Sequence, residues 1–210
     1  MFLYKFRALA KKKDYKRIIS IIENGFYCNT FFNFNDMNEG VYVINNKNIG
    51  ISLDDKKKYK ICSFSGVNAL DNELMWGHYA NAGMGVAIEI DVAVDVKKPK
   101  KIIQHVKEIK YGKNKNGLDT IEEILTHKSD AWSYEDEFRY IAKHEKINVE
   151  IGKITKIYFG TPYKNLTNYT DFKDKHPGLK EYLKFQDKLK DYCKRNENGI
   201  ECKDFEFNFY

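Results

Sequence analysis

The sequence predicts an α+β domain whose core is a mostly antiparallel, multi-stranded sheet with helices inserted between the strands. Segments of strand length, either apolar or alternating, recur along the chain between longer segments that have helical spacing. The 210 residues suit one domain, and a content of 42% apolar and 15% aromatic residues is typical of a folded globule. We therefore expect a single domain over residues 1–210.

The N-terminal segments predict a strand, a helix and a second strand. Residues 2–7 alternate apolar and polar side chains, which is typical of a short strand. Asp14 is expected to cap an amphipathic helix with an isoleucine stripe within residues 18–22, and Gly25 is expected to end it. A strand near residues 26–29 follows.

Two polar segments come next. Residues 30–39 predict a loop, because asparagine and aspartate favour turns, and its three phenylalanines would hold it against the core. Residues 45–60 predict a mobile polar loop. A buried strand at 60–65, a helix from 71 to 82 and a strand at 86–90 are expected after it.

The second half of the chain continues this mixture of short strands and helices. Its expected elements are a strand at 102–111, a helix capped by Asp119 or Thr120 that runs to about 130, strands at 137–142 and 154–159, a helix at 177–193 and a strand at 200–210. Strands and helices interleaved in this way indicate the α+β class.

The charge and cysteine content limit the classes of partner and compartment. A net charge of +6 is explained by a solvated lysine surface, and the alternative is a phosphate-rich partner, either a nucleic acid or a nucleotide. The four cysteines form no C-x-x-C pair and fit no zinc spacing. The chain does not begin like a signal peptide and has no apolar run of about 20 residues. We expect a cytoplasmic protein with reduced thiols, no metal and no membrane contact.

Two polar pairs are candidates for a site. Strand alternation places the hydroxyls of Ser63 and Ser65 on one face, where they could orient a ligand or a carboxylate, or simply bond to nearby backbone. Glu135, Glu137 and Arg139 share a face if their strand begins early. A carboxylate there could act as a base or stabilise a cation, and the alternative is a Glu–Arg ion pair.

Three further residues have side chains suited to binding. Arg7, at the end of the first strand, could hold a phosphate or carboxylate, or form a structural ion pair. His78 and Tyr79 lie on a predicted helix next to Trp76. His78 could titrate near neutral pH, or it could belong to a packed aromatic cluster. No second histidine or cysteine lies at metal-ligand spacing.

Seven sequence blocks together resemble the bacterial family catalogued as domain of unknown function 2971 (DUF2971). In order, they are Leu3–Arg7, Phe34–Asp36, Cys62–Ser65, Leu74–Ala80, Gly85–Asp91, Lys128–Arg139 and Ile157–Gly160. The resemblance extends over nearly the whole chain. The chain departs from the family at Met37, where a proline is usual, and in the short segment 45–60, where many members have a longer insert.

A more distant resemblance implies an activity. The ADP-ribosyltransferase fold has a split sheet whose NAD cleft is lined by an arginine on the first strand, a Ser-x-Ser on a later strand and a Glu-x-Glu before a still later one. Arg7, Ser63 with Ser65, and Glu135 with Glu137 follow that order. The resemblance implies that Arg7 holds the NAD pyrophosphate and that the serines orient Glu137 and the nicotinamide ribose.

The same resemblance implies the remaining roles. Glu137 would bond the ribose 2′-OH and stabilise the oxocarbenium ion, and Glu135 would guide or deprotonate the acceptor. His78 and Tyr79 would line the nicotinamide pocket, as aromatic residues do in the histidine-type branch of that fold.

The resemblance thus predicts a metal-independent, NAD-consuming transferase of the toxin or antiphage-effector kind. Its acceptor would be a nucleic acid or a protein, and a neutralising antitoxin or another defence-system protein would be its partner. Two alternatives stay open. One is a nucleic-acid-binding or nuclease-like defence module that uses His78, Glu137 and basic residues. The other is a non-catalytic interaction domain in which the Trp, Tyr, Glu and Arg side chains form a core network.

Overall fold

The computed structural model describes residues 1–30, 55, 57–112, 120–143, 148–196 and 199–206. The strands are β1 (Phe2–Ala8), β2 (Phe26–Tyr27), β3 (Lys60–Ser65), β4 (Gly85–Val92), β5 (Val106–Glu108), β6 (Lys110–Tyr111), β7 (His127–Lys128), β8 (Glu137–Ala142), β9 (Asn148–Val149), β10 (Gly152–Phe159) and β11 (Glu201–Asp204). The helices are α1 (Lys12–Asn24), α2 (Glu73–Tyr79), α3 (Pro99–His105), α4 (Ile121–Leu125), α5 (Tyr169–Lys175) and α6 (Pro177–Arg195). Short 3-10 helices span Val67–Ala69 and Asp130–Glu135.

A seven-stranded sheet organises the fold, with the strand order β11-β10-β4-β1-β3-β8-β5. Neighbouring strands are antiparallel except β10 and β11, which are parallel. The expected α+β class with a mostly antiparallel core is therefore confirmed. The central strand β1 pairs with β4 from Phe2↔Asp91 to Ala8↔Gly85, but its register with β3 is the single position Tyr4↔Ser65.

Alternation along the strands divides the core between the two faces of the sheet. Leu3 and Ile88 contribute to the larger cluster, which α1 joins through Ile18 and α6 joins through Leu189. Tyr4 and its neighbours on the other face belong to a second cluster with α2. The sheet is thus covered on both faces, as a layered α+β domain requires.

Trp76 is the centre of the second cluster. Its ring lies edge-on to Phe6 at 5.3 Å and stacks on Phe205 at 5.0 Å, both measured between ring centroids. Its indole N–H donates to the carbonyl of Leu70 at 2.8 Å, so the polar atom of this buried ring is satisfied. Trp76 is therefore part of the scaffold.

Helix α1 begins differently from the prediction. The helix starts at Lys12, and the backbone N–H of Lys11 donates to the carboxylate of Asp14 at 3.0 Å. Asp14 is thus the third helical residue, whose carboxylate accepts from the backbone of the N-cap residue Lys11, so its assignment as the N-cap is wrong. The end is as predicted, since Gly25 closes the helix with φ of +81° and its N–H donates to Ile21 at 3.0 Å.

Several strand and helix predictions are confirmed within a few residues. The strands expected at 60–65 and 137–142 are β3 and β8, and the helix expected at 177–193 is α6. The predicted C-terminal strand is shorter, because β11 covers Glu201–Asp204. The loop expected at 30–39 lies outside the described residues except for Thr30, and residues 45–54 and 56 of the loop expected at 45–60 lie outside them too. Lys60 already belongs to β3.

The strand predicted over 102–111 is wrong in its first part. Pro99 starts α3, a position at which a proline is compatible with a helix, and strand structure begins only at Val106. Two predicted helices are also shorter than expected: Asn72 caps α2, and α4 ends at Leu125 after the capping box at Thr120. Among the described residues, every helix is too short or too polar to cross a membrane.

Candidate functional site

A cleft opens where β1 and β3 separate. Because the two strands pair only at Tyr4↔Ser65, their remaining lengths diverge and leave a cavity of about 260 Å³. We call this cavity the β1–β3 cleft. Of the candidate residues from the sequence, six line it, namely Arg7, Ser63, Ser65, Tyr79, Glu135 and Glu137.

Strand register places the serines beside the carboxylate of β8. Ser65 lies opposite Glu137, and Ser63 lies opposite Arg139. The adjoining turn is fixed by Gly66, whose N–H donates to the Asp136 carbonyl at 2.7 Å. A side chain at Gly66 would collide with Asp136, because a Cβ there would lie 2.3 Å from the carboxylate.

The Ser63 hydroxyl lies near the Glu137 carboxylate but makes no well-formed hydrogen bond to it. It is near enough to help lower the pKa of Glu137. Its oxygen is nevertheless buried and makes no hydrogen bond of standard geometry within the described part of the chain. A ligand hydroxyl in the cleft could therefore satisfy it.

Four buried side chains form an ionic network that we call the carboxylate cluster: Lys128, Glu135, Glu137 and Arg139. Arg139 holds Glu137 in a fork, with Nε–Oε1 at 2.7 Å and Nη2–Oε2 at 3.0 Å. Lys128 Nζ bridges the two glutamates, at 2.6 Å from Glu135 Oε2 and 3.2 Å from Glu137 Oε2. Tyr79 OH donates to the other oxygen of Glu135 at 2.5 Å.

The two glutamates have opposite pKa shifts. Desolvation alone would raise the pKa of Glu137, but the charge and hydrogen bonds of Arg139, helped by Lys128, outweigh it and lower the pKa to about 2. For Glu135, desolvation outweighs Lys128 and Tyr79, so its pKa is raised. Glu137 is thus the permanent anion of the cluster, and Glu135 is the group more easily protonated.

Acid is expected to destabilise the fold through Glu137. Its pKa is below the ordinary value of 4.5 in the folded state, so its contribution to stability is complete above pH 4.5 and is lost as the pH falls towards 2. Urea unfolding between pH 6 and 2.5 should show this loss as a fall in the free energy of unfolding. In Glu137→Gln, the free energy of unfolding should depend less on pH. Glu181→Gln, which alters a half-exposed carboxylate, should leave the pH dependence unchanged. An equal pH dependence in wild type and Glu137→Gln would contradict the assignment.

Two cations line the β1 side of the cleft. Lys5 Nζ donates to the carbonyl of Ser63 across the gap, and burial lowers its pKa to about 8. Burial likewise lowers the pKa of Arg7, whose Nε is buried without a hydrogen-bond partner among the described residues. Both side chains remain cationic at neutral pH, so this side of the cleft is suited to an anionic group.

His78 lies outside the cleft lining. Its ring is exposed, and Nδ1 lies 3.0 Å from the hydroxyl of Tyr134, whose ring packs against it. Its neighbour Tyr79 points to the cleft instead and bonds Glu135. In the described ranges, no group of three His, Cys, Asp or Glu side chains is arranged to hold a metal ion.

Sequence reasoning missed several cleft residues, among them the chemically reactive or charged Lys5, Cys62 and Lys128. Lys5 had a signal, because it lies two residues before Arg7 on the same strand and hence on the same face. Cys62 directly precedes the Ser-x-Ser segment. Lys128 lay within a block that resembled the family, but nothing local in the sequence indicates that it bridges two glutamates.

Comparison with known families gives one match. Residues 75–140 match the family described as "Protein of unknown function (DUF2971)". Comparisons with curated proteins and with solved structures found no match. The matched stretch includes Glu135 and Glu137 of the cleft and excludes Arg7 and the two serines. The match shows similarity to the DUF2971 family over the stretch from α2 to β8.

Proposed function

We propose that the protein is an NAD-dependent enzyme of the ADP-ribosyltransferase type that acts in the β1–β3 cleft. One observation carries the proposal. Arg7, the Ser63–Ser65 pair and the Glu135–Glu137 pair are far apart in the sequence, yet all of them line this one cavity. Convergent polar groups with opposite pKa shifts in a cleft are typical of an active site.

The cleft is suited to part of a dinucleotide. Its volume of about 260 Å³ is slightly below the roughly 300–1,000 Å³ of typical small-molecule sites, so it would hold the nicotinamide and its ribose. The pyrophosphate would lie on the cationic side, against Arg7 and Lys5. The unpaired Nε of Arg7 supports this placement, because a phosphate oxygen would supply the missing partner.

The two glutamates would divide the chemistry. The bond between ribose C1′ and the nicotinamide nitrogen breaks, and its electron pair leaves with nicotinamide. Glu137, ionised at neutral pH, stabilises the positive charge that develops on the ribose. A hydroxyl or amine of the acceptor then bonds to C1′ and transfers its proton to Glu135, whose raised pKa suits a base.

The two hydrogen bonds from Arg139 to Glu137 are compatible with a catalytic role for Glu137. An ionised carboxylate has about four acceptor positions. Arg139 and Lys128 both bond Oε2, whereas Oε1 accepts from Arg139 Nε and has a further lone pair that a ribose hydroxyl could use. The arginine would then fix the orientation of the carboxylate, as preorganised catalysis requires.

A second candidate function is a non-catalytic interaction domain. The observation in its favour is the burial of the carboxylate cluster, in which Arg139 is 0% and Glu137 is 3% exposed. Buried ion pairs of this kind also occur as purely structural networks. In that case, changes at Glu137 would alter stability alone.

The proposed enzyme would consume cellular NAD as a toxin or antiphage effector. Its acceptor would be a nucleic acid, consistent with the net charge of +6, or a protein. A chain with this activity would need a neutralising antitoxin or another defence-system partner in its host.

The decisive test is incubation of the purified protein with labelled NAD and cell extract. We expect release of nicotinamide and transfer of label to a macromolecule. If wild type releases no nicotinamide and transfers no label while an NAD-cleaving control enzyme is active, the proposal fails. Digestion of the labelled product with nuclease or protease would identify the acceptor class.

Arg7→Met is expected to weaken NAD binding rather than chemistry. Loss of a charge-assisted hydrogen bond costs about 1.5–3 kcal/mol, so KM should rise roughly 10- to 100-fold with little change in kcat. Steady-state nicotinamide release measures both constants. Arg195→Met, which changes an arginine that is 79% exposed, is the matched control and should change neither. An unchanged KM in Arg7→Met would show that Arg7 does not bind NAD.

A further inference from the structure

Two cysteines, Cys28 and Cys62, interact through their side chains beside the cleft. Asn29 and Ile61 exchange both backbone hydrogen bonds at 2.7 Å in an antiparallel bridge. Cys28 and Cys62 are the next pair in that register, at a position without backbone hydrogen bonds. Cα atoms at such positions are about 4.5 Å apart, within the roughly 4.4–6.8 Å that a disulfide spans.

The two thiols are chemically unequal. The pKa of Cys62 is lowered to about 6, first by interaction with the Cys28 thiol and then by the charges of Lys5 and Arg7, against desolvation. The pKa of Cys28 is raised, first by its interaction with Cys62 and then by burial. Of the pair, Cys62 is therefore the more easily ionised and Cys28 the more easily protonated, the combination that suits an attacking and a resolving cysteine.

Only Cys62 of this pair lines the β1–β3 cleft. Its side chain lies on the strand face opposite the serines, next to the cationic side formed by Lys5 and Arg7. Cys28 is 1% exposed and Cys62 is 3% exposed, so only a small reagent entering through the cleft would reach the thiolate.

We propose that Cys62 is a peroxide-reactive thiolate and that Cys28 resolves its oxidised form into a Cys28–Cys62 disulfide. The Cys62 thiolate attacks hydrogen peroxide, the O–O bond breaks, and the leaving hydroxide takes up a proton to become water. Cys62 becomes a sulfenic acid. The Cys28 sulfur then attacks the Cys62 sulfur, releasing a second water, so two thiols and one peroxide give one disulfide and two waters.

The remaining cysteines need to be excluded from the test. Cys193 of α6 and Cys202 of β11 also interact, and the pKa of Cys202 is lowered by that contact, but neither lines the cleft. The experiments therefore use a Cys193→Ser/Cys202→Ser background, in which only the cleft pair can react. Far-UV circular dichroism checks that each variant is folded.

Hydrogen peroxide treatment followed by non-reducing peptide mapping tests the proposal. We expect a peptide pair linked through Cys28 and Cys62, reversed by a dithiol reductant. In Cys28→Ser, which keeps a hydrogen-bond donor beside Cys62 but cannot form the disulfide, dimedone should label Cys62. In Cys62→Ala, Cys28 should react at least roughly 10-fold more slowly than Cys62 does, because burial still keeps its thiol protonated. In the background protein, the rate of Cys28–Cys62 disulfide formation should rise with pH around a midpoint near 6.

Absence of the linked peptide in the folded background protein would overturn the proposal. So would dimedone labelling of Cys28 in the Cys62→Ala variant at the rate of Cys62. The assay contains no NAD, so its failure would leave the proposed transferase activity untouched, and inactivity towards NAD would leave the disulfide result intact.

Discussion

Replacement of Arg139 with methionine is expected to lower the free energy of unfolding by about 3–5 kcal/mol, the usual cost of breaking a buried ion pair from one side. Arg139 is 0% exposed, donates two hydrogen bonds to Glu137 and donates a third to the Leu125 carbonyl at 2.5 Å. Without it, Glu137 keeps its charge in a buried site with Lys128 as its remaining cation. Urea unfolding at pH 7 measures the loss.

Two further variants make this result specific. Arg195→Met removes an exposed i,i+4 ion pair and should cost less than about 0.5 kcal/mol. The double variant Glu137→Leu/Arg139→Met removes both charges and should recover much of the loss, because apolar side chains can replace a buried pair. A loss below about 1 kcal/mol in Arg139→Met would mean that the network contributes little to stability.

Glu137→Gln is expected to lower kcat for nicotinamide release by at least about 10²–10³-fold, the cost of removing one preorganised charge-stabilising group. The amide keeps the shape of the side chain but cannot balance the positive charge on the ribose. KM should change only a few-fold, because the phosphate-binding side of the cleft is intact. Single-turnover nicotinamide release measures the chemical step.

Another buried glutamate provides the matched control. Glu89 is 6% exposed, accepts from Tyr4 at 3.1 Å and from Thr155 at 2.8 Å, and lies outside the cleft lining. Glu89→Gln should therefore cost stability without lowering kcat. Both variants are assayed where circular dichroism shows full folding. If Glu137→Gln retains kcat within two-fold of wild type, Glu137 is structural and the transferase mechanism is wrong.

The two strands that carry most of the site, β3 and β8, were predictable from their short sequences. Lys60–Ser65 and Glu137–Ala142 are short runs in which at least half of the residues are apolar, and both were predicted with their observed bounds. Residues 102–111 also combine apolar and polar side chains, but Pro99 starts a helix there. Periodicity over so few residues does not separate the two structures.

The site was predictable only where it lies on regular strands. Alternation placed Ser63 and Ser65 on the face that meets Glu137, as the register shows. Glu135 was expected to share that face through an early strand start, but it lies in a 3-10 helix before Asp136, whose φ is +45°. The contact of Lys128 with both glutamates depends on this irregular backbone, which no sequence period describes.

The central position of β1 has a consequence for how the protein is made. Residues 2–8 pair with residues 85–91, so about eighty residues must be synthesised after β1 before its partner β4 is complete. Such high contact order makes folding slow, because the entropy of closing a long loop is lost before the strands are joined. Until then, the edge of β1 that pairs with β4 is unpaired, and the nascent chain is most prone to aggregate in that interval.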